Sequence, residues 1–103
     1  DVSDMISDIN LLETSIKNKN IIECSYVYDT NKRYNTTLNP LKIVNYEGFW
    51  YLIAINNDEV KKYYLKEIKN IKLTDTIFTI DTKIDNLLKN SISIWFDENT
   101  EPF

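Results

Sequence analysis

The chain has 103 residues, 43% of them hydrophobic and 27% charged, which is the composition of one folded globular domain and not of a disordered chain. The sequence contains no histidine and a single cysteine, so it excludes histidine-based general bases and comes close to excluding a structural zinc site, which needs about four ligands. Because none of the sixteen acidic residues forms a spaced pair typical of carboxylate chemistry, we expect no enzyme, no catalytic residue, no cofactor and no metal.

Residues 3–18 are predicted to form a helix. Apolar residues recur there at helical spacing and make one stripe: Met5, Ile9, Leu12 and Ile16. Acidic side chains near the start and lysines near the end suit the helix dipole. The stripe predicts that one face of the helix packs against the rest of the domain.

Strand periodicity begins at residue 21. We predict five strands, over residues 21–28, 34–46, 49–56, 60–65 and 68–74. Polar turns separate the first four strands: residues 29–32, the Glu47-Gly48 pair with the chain's only glycine, and Asn57-Asp58.

Two features of these strands favour a barrel over a sandwich. Pro40 cannot donate a ladder hydrogen bond, so the long second strand should contain a bulge, a bend or an edge. The third strand, 49–56, is apolar on both faces, which indicates a central strand covered on both sides. Five short strands and one helix in about seventy residues predict a mainly β, α+β fold, a small closed or nearly closed barrel.

The residues after 75 have a different character. We expect a short extended piece over 77–80, a short helix over 81–90 and a strand over 91–96 that has no partner in the sequence. On this prediction residues 1–80 form the barrel domain, and residues 81–103 form a linker helix and the beginning of a truncated extension. No methionine begins the chain, and we expect it to be a piece of a longer protein.

Charge is unevenly divided along the chain. Residues 1–20 and 76–103 are acidic, whereas residues 21–75 carry eight bases and seven acids. The bases of this central part cluster around Glu67: Lys61, Lys62, Lys66, Lys69 and Lys72. The sequence has no signal peptide, no apolar run of the roughly 20 residues that a membrane helix needs, and only Cys24, a small core hydrophobe by expectation, as a thiol. We therefore expect a cytoplasmic protein with no membrane contact.

Three segments of the central part carry motifs. Trp50-Tyr51-Leu52 follows Gly48 and precedes an Ile-Ala-Ile strand, Leu38-Asn39-Pro40-Leu41 makes a hydrophobic-x-Pro-hydrophobic step, and an aromatic-rich segment runs from Tyr63 to Ile68. Together they resemble the WYL domain family of bacterial transcriptional regulators, which is named after the tripeptide. The resemblance covers roughly residues 8–75, and residues 91–103 resemble the opening strand of the WCX extension that often follows such domains.

The resemblance implies an Sm-like or SH3-like barrel that senses a nucleotide or single-stranded nucleic acid and couples it to a DNA-binding helix-turn-helix outside this chain. The family's ligand surface has three arginines, and at the matching positions this chain has Thr36, Tyr64 and Glu67. The candidate ligand-binding residues are therefore these three with nearby tyrosines and lysines: Tyr26, Thr36, Tyr51, Tyr64, Glu67, Lys61 and Lys66. The missing charges argue against the usual phosphate recognition at this site.

Each candidate also has an ordinary structural interpretation. Trp50 and Tyr51 lie on opposite faces of a central strand and suit core packing, although a phenol commonly keeps its polar end at a surface. Tyr26, Tyr63 and Tyr64 are either strand aromatics or a stacking platform for bases. The lysine cluster is either a solvated face or a contact for nucleic-acid phosphates.

A second function is compatible with the sequence. The domain would be a protein-interaction or homodimerisation module that has lost its ligand site. The unpaired strand over 91–96, with its Trp95-Phe96 pair, motivates this alternative, because edge strands readily pair with another chain.

Overall fold

The computed structural model of the protein describes residues 2–27 and 32–96. Within these ranges the elements follow one another in the order α1 (Val2–Asn18), β1 (Asn20–Val27), β2 (Arg33–Tyr46), β3 (Phe49–Asn56), β4 (Glu59–Tyr64), β5 (Lys69–Ile77) and α2 (Thr82–Trp95). A 3₁₀ turn, Leu65–Glu67, joins β4 to β5. The predicted turn at 29–32 lies largely outside the described residues, and the predicted extension beyond residue 96 lies wholly outside them.

All five strands belong to one sheet with the order β4-β3-β2-β1-β5, in which each neighbouring pair is antiparallel. Within the described part of the chain no ladder joins the two edge strands β4 and β5, so the sheet is open. The predicted α+β class, the N-terminal helix and the five strands are confirmed. The sheet is not closed among the described residues, and its assignment to the Sm-like or SH3-like barrels stays a prediction.

The two hairpins on either side of β3 turn at the predicted residue pairs. Glu47 and Gly48 have φ of 53° and 84°, and Asn57 and Asp58 have φ of 52° and 64°. Two consecutive residues with positive φ make a type I′ turn, whose twist matches that of the flanking strands. Glycine, asparagine and aspartate adopt this backbone conformation at low cost, which is why the turns were readable from the sequence.

The long strand β2 serves both halves of the sheet. Its first residues, Arg33–Leu38, pair with β1, and its second half, Asn39–Tyr46, pairs with β3. The register shifts between Pro40 and Lys42, where the proline lacks the N–H that a regular ladder needs. The predicted irregularity at Pro40 is confirmed, and it lies where the strand passes from one half to the other.

Strand β3 is covered on both faces, as predicted. Leu52 and Ala54, both 0% exposed, belong to the main core, into which α1 places Leu12. Ile53, also 0% exposed, faces the other way and packs in a second cluster with Phe96 at the end of α2. Trp50 packs with the first cluster and Tyr51 with the second, so their predicted placement on opposite faces of β3 is confirmed.

The predicted strand over 91–96 is wrong, because α2 continues to Trp95. Asp81 caps the helix by accepting a hydrogen bond from the Ile84 N–H at 2.8 Å. Alternation would bury Ile94 with its neighbours at even positions, yet Ile94 is 81% exposed. Helical spacing instead directs three side chains onto the sheet: Leu88, Ile92 and Trp95. Neither α1 nor α2 is long and apolar enough to cross a membrane.

Candidate ligand-binding site

An open cleft of about 970 Å³ lies at one end of the sheet, between the beginning of β2, the β3–β4 hairpin and the beginning of β5. Its lining is mainly uncharged and polar: Glu23, Cys24, Tyr34, Asn35, Thr36, Thr37, Asn56, Asn57, Lys61 and Asn70. Amide and hydroxyl side chains both donate and accept hydrogen bonds. The cleft therefore suits a ligand with many neutral polar groups better than a small anion.

The cleft forms where inward-facing positions change from apolar to polar. Along β3 these positions run from buried Leu52 and Ala54 to half-buried Asn56, and on β2 they include Thr36. The Asn56 amide donates to the Tyr63 hydroxyl at 3.0 Å and to the Thr36 hydroxyl at 3.5 Å. These bonds hold the Asn56 amide at the edge of the apolar core, so its position in the wall of the cleft is fixed.

Positive charge and one exposed aromatic ring flank the cleft. Tyr34 is 43% exposed, and the Lys32 ammonium lies 5.3 Å from its ring centroid. Lys61 lines the cleft on the opposite hairpin, and Glu23 provides the negative charge in the lining. An aromatic ring that can stack on a base, lysines that can contact a phosphate and amides that can form hydrogen bonds are typical of sites that bind single-stranded nucleic acid.

A second, smaller groove of about 350 Å³ follows strand β4. It is lined by Tyr26, Val60, Lys61, Lys62, Tyr63 and Trp95. Lys61 lines both the cleft and this groove, so the two adjoin. Tyr26 is 9% exposed, meets the Tyr63 ring edge-on at 4.9 Å and accepts a hydrogen bond from the Tyr64 N–H at 2.8 Å. Its ring is therefore held in the protein and offers little face for stacking.

Three other candidate residues lie away from the cleft. The rings of Tyr51 and Tyr64 are 5.9 Å apart, and Phe49 lies 5.8 Å from Tyr64. Tyr64 and Lys66 line a groove of about 270 Å³ beside the β2–β3 turn, and this groove shares no lining residue with the cleft. The candidates therefore do not converge on one surface.

The last candidate, Glu67, is engaged by the chain's single arginine. Arg33 Nη2 lies 3.6 Å from a Glu67 carboxylate oxygen, and Nη1 donates to the Glu67 main-chain oxygen at 2.7 Å. Nη1 also reaches the main-chain oxygen of Ser25 at 3.2 Å. The arginine therefore binds strand and turn, and its charge is directed at Glu67.

Of the seven predicted residues, the structure brings Thr36 and Lys61 together in the cleft, with Tyr26 in the adjoining groove. The ligand-binding role of all seven stays a prediction. Sequence reasoning missed the polar residues that line the cleft with them, among them Tyr34, Asn56 and Asn70. The alternation of β3 could have predicted Asn56 as a site residue, because the inward-facing positions Leu52 and Ala54 are followed by this polar side chain.

Among the described residues, Cys24 and Asp8 have pKa values that burial shifts. Burial raises the pKa of the Cys24 thiol to about 11. Burial also raises the pKa of Asp8, with repulsion from Asp4 adding to the shift and attraction by Lys69 opposing it. Within residues 2–27 and 32–96 no three side chains of the metal-ligating types lie together.

The bent antiparallel sheet, its covering helices and the polar cleft define a small α+β domain with a surface site. The WYL domain model matches residues 8–73, and the chain belongs to the WYL domain family. This confirms the resemblance inferred from the sequence motifs.

Among solved structures, the fold is similar to that of the proteasome accessory factor B/C (PafBC) of Arthrobacter aurescens, with a TM-score of 0.67 at 11% sequence identity. The alignment covers 74% of this chain and 12% of that chain, so the two share a fold over a small part of the larger protein. No curated protein matches the sequence.

Proposed function

We propose that this chain is the ligand-sensing domain of a transcriptional regulator, and that its polar cleft binds single-stranded nucleic acid or a nucleotide. Membership of the WYL domain family supports the regulatory role. The observation that carries the ligand class is the lining of the cleft, in which amides, an exposed tyrosine and a lysine surround about 970 Å³ of open space. A helix-turn-helix outside this chain would contact DNA, in the cytoplasm.

The lining favours recognition of bases over recognition of phosphates. Asn35 and Asn57 line the cleft with exposed amide groups of the kind that pair with base edges. Tyr34 offers the exposed ring, and stacking on such a ring contributes about 1–3 kcal/mol per base. Lys32 and Lys61 supply point charges and not the forked contact of arginine, so phosphate binding would be loose.

A salt titration tests this balance of contacts. One or two phosphate contacts predict a slope of about −0.7 to −1.4 for log affinity against log salt concentration with single strands. The measurement is fluorescence anisotropy of labelled hexanucleotides of each base and of labelled nucleotides, at several salt concentrations. Absence of binding to every probe at low salt would contradict the proposed ligand class.

Two variants locate the site. Tyr34→Ala should weaken binding by about 5- to 150-fold, which corresponds to the loss of one stacked base. Phe49→Ala is the matched control, because Phe49 is also an exposed aromatic residue, 51% exposed, but lies at the other hairpin. If Phe49→Ala weakens binding and Tyr34→Ala does not, the ligand binds beside Tyr64 and Lys66 and not in the cleft.

A homodimerisation module is the second candidate function, and one observation favours it. Helix α2 exposes Ile94 at 81% and Leu87 at 40%, and these residues lie on the same side of the helix. A second copy of the chain would cover them. Sedimentation velocity over a wide concentration range tests this candidate: a dimer that Ile94→Glu dissociates supports it, and a monomer at every concentration contradicts it.

A further inference from the structure

A lysine ammonium lies among three aromatic rings where α2 meets the sheet. Lys62 Nζ is 5.4 Å from the ring centroid of Tyr51, 5.7 Å from that of Trp95 and 5.5 Å from that of Phe96. All three distances are within the range of about 6 Å in which a cation is attracted to a ring face. The ammonium thus connects β4, which carries Lys62, to β3 and to the end of α2.

The attachment of α2 depends on this end of the helix. None of the residues from Thr82 to Trp95 is buried, whereas Phe96, directly after the helix, is 5% exposed. The Phe96 ring lies 5.2 Å from Tyr46 and 5.4 Å from Tyr51. Leu88 and Ile92 add only partly buried contacts. Loss of the aromatic contacts around Phe96 would therefore free the last turns of α2.

The same lysine also borders the groove that adjoins the cleft. Lys62 lines that groove together with Lys61 and Trp95, and its side chain is exposed. A lysine side chain is a point charge on a flexible four-carbon stem, so the ammonium can turn toward an anion in the groove. An ammonium that does so leaves the rings of Tyr51 and Phe96, which do not line the groove.

We propose that Lys62 is a latch that couples ligand binding to α2. In the free domain its ammonium holds the end of α2 against the sheet. A phosphate in the groove draws the ammonium away, and the last turns of α2 loosen. This inference rests on the proposed function, because it gives the cleft and its adjoining groove a route by which an anionic ligand changes the C-terminal end of the domain.

Hydrogen exchange of the whole chain tests the latch without a ligand. In Lys62→Met, which keeps the apolar stem and removes the charge, amides of the last turns of α2 should exchange about tenfold faster. Lys62→Arg should retain protection because it keeps a cation over the rings. Lys72→Met, an exposed lysine on β5, is the charge-matched control. Unchanged protection of α2 in Lys62→Met overturns the latch, and unchanged protection of β3 shows that the variant is folded.

A second arm tests the coupling, with an oligothymidylate hexamer and inorganic triphosphate as probes. Either probe should speed exchange of the last turns of α2 in the unmodified chain and have no further effect in Lys62→Met. If neither probe changes α2, the coupling is overturned. If no hexanucleotide and no nucleotide binds while triphosphate still loosens α2, the proposed function fails and the latch stands.

Discussion

Arg33 and Glu67 join the beginning of β2 to the turn before β5. The guanidinium donates to the Glu67 main-chain oxygen at 2.7 Å, lies 3.6 Å from its carboxylate and also donates to the main-chain oxygen of Ser25 at 3.2 Å. A lysine ammonium lacks the planar fork that reaches these acceptors together. Arg33→Lys should therefore lower the free energy of unfolding by about 1–2 kcal/mol, measured by urea denaturation.

Glu67→Gln is the control for that variant. It keeps the main-chain acceptor and removes only an ion pair whose side chains are 33% and 43% exposed, so its cost should stay below about 1 kcal/mol. If the two variants destabilise the protein equally, it is the ion pair, and not the main-chain hydrogen bond, that stabilises the contact between β2 and the turn before β5.

The hydroxyl of Tyr26 makes a hydrogen bond whose contribution to the free energy of unfolding can be measured. It accepts the Tyr64 N–H at 2.8 Å, on an edge strand that has no ladder partner on that side among the described residues. Tyr26→Phe leaves this N–H without its acceptor and should cost about 1–3 kcal/mol of unfolding free energy. Tyr51→Phe, at another aromatic position, is the comparison and should cost less, since the contacts of Tyr51 are made by its ring. Equal costs would contradict the role of the bond.

Cys24 should be nearly inert in the folded protein. It is 4% exposed, and its pKa of about 11 leaves about one thiol in a thousand ionised at pH 8, against about one in ten at its ordinary value of 9.0. Labelling by a disulfide reagent should be at least about 100-fold slower in the folded chain than in urea. The measurement is the absorbance of the released thiolate, and fast labelling in native buffer would show that the region around β1 opens.

Asp8 should make stability depend on pH with a definite sign. Because burial raises its pKa in the folded state above 3.8, the folded chain binds this proton more tightly than the unfolded chain. The contribution of Asp8 therefore favours folding at low pH and is lost as pH rises from about 3.8 through the folded pKa. Asp8→Asn should match the parent chain at pH 3 and exceed it in thermal midpoint at pH 7. A variant that is less stable at pH 7 than its parent would reverse the sign.

Local patterns predicted most of the fold. The turn at Asn57-Asp58 is encoded by residues that tolerate positive φ, and the apolar residues on both faces of β3 indicate its central position by themselves. The prediction was wrong at 91–96, where Ile92, Ile94 and Phe96 fit a period of two, but Leu88, Ile92 and Trp95 fit helical spacing. Packing against Val44 and Ile53, which are distant in sequence, stabilises the helix in this segment.

The candidate site was less accessible to sequence reasoning, because its lining is assembled by strand register. Asn35 and Asn70 are separated by 35 positions, and they meet in one cleft because β1 pairs with both β2 and β5. The position of Lys62 beside rings from β3 and from the end of α2 also depends on contacts between segments that are distant in sequence. Residue types alone indicate tyrosines and lysines, but not which of them share a surface.

The second apolar cluster also determines where the domain must end if it is transferred to another protein. Val44 and Ile53, 1% and 0% exposed, are covered in part by Phe96, which lies beyond residue 73, where the family match ends. A graft cut at residue 73 would present this face of the sheet to water and invite aggregation. A chimeric regulator built from this domain should therefore carry the chain through Phe96, because the portable unit is longer than the segment that identifies the family.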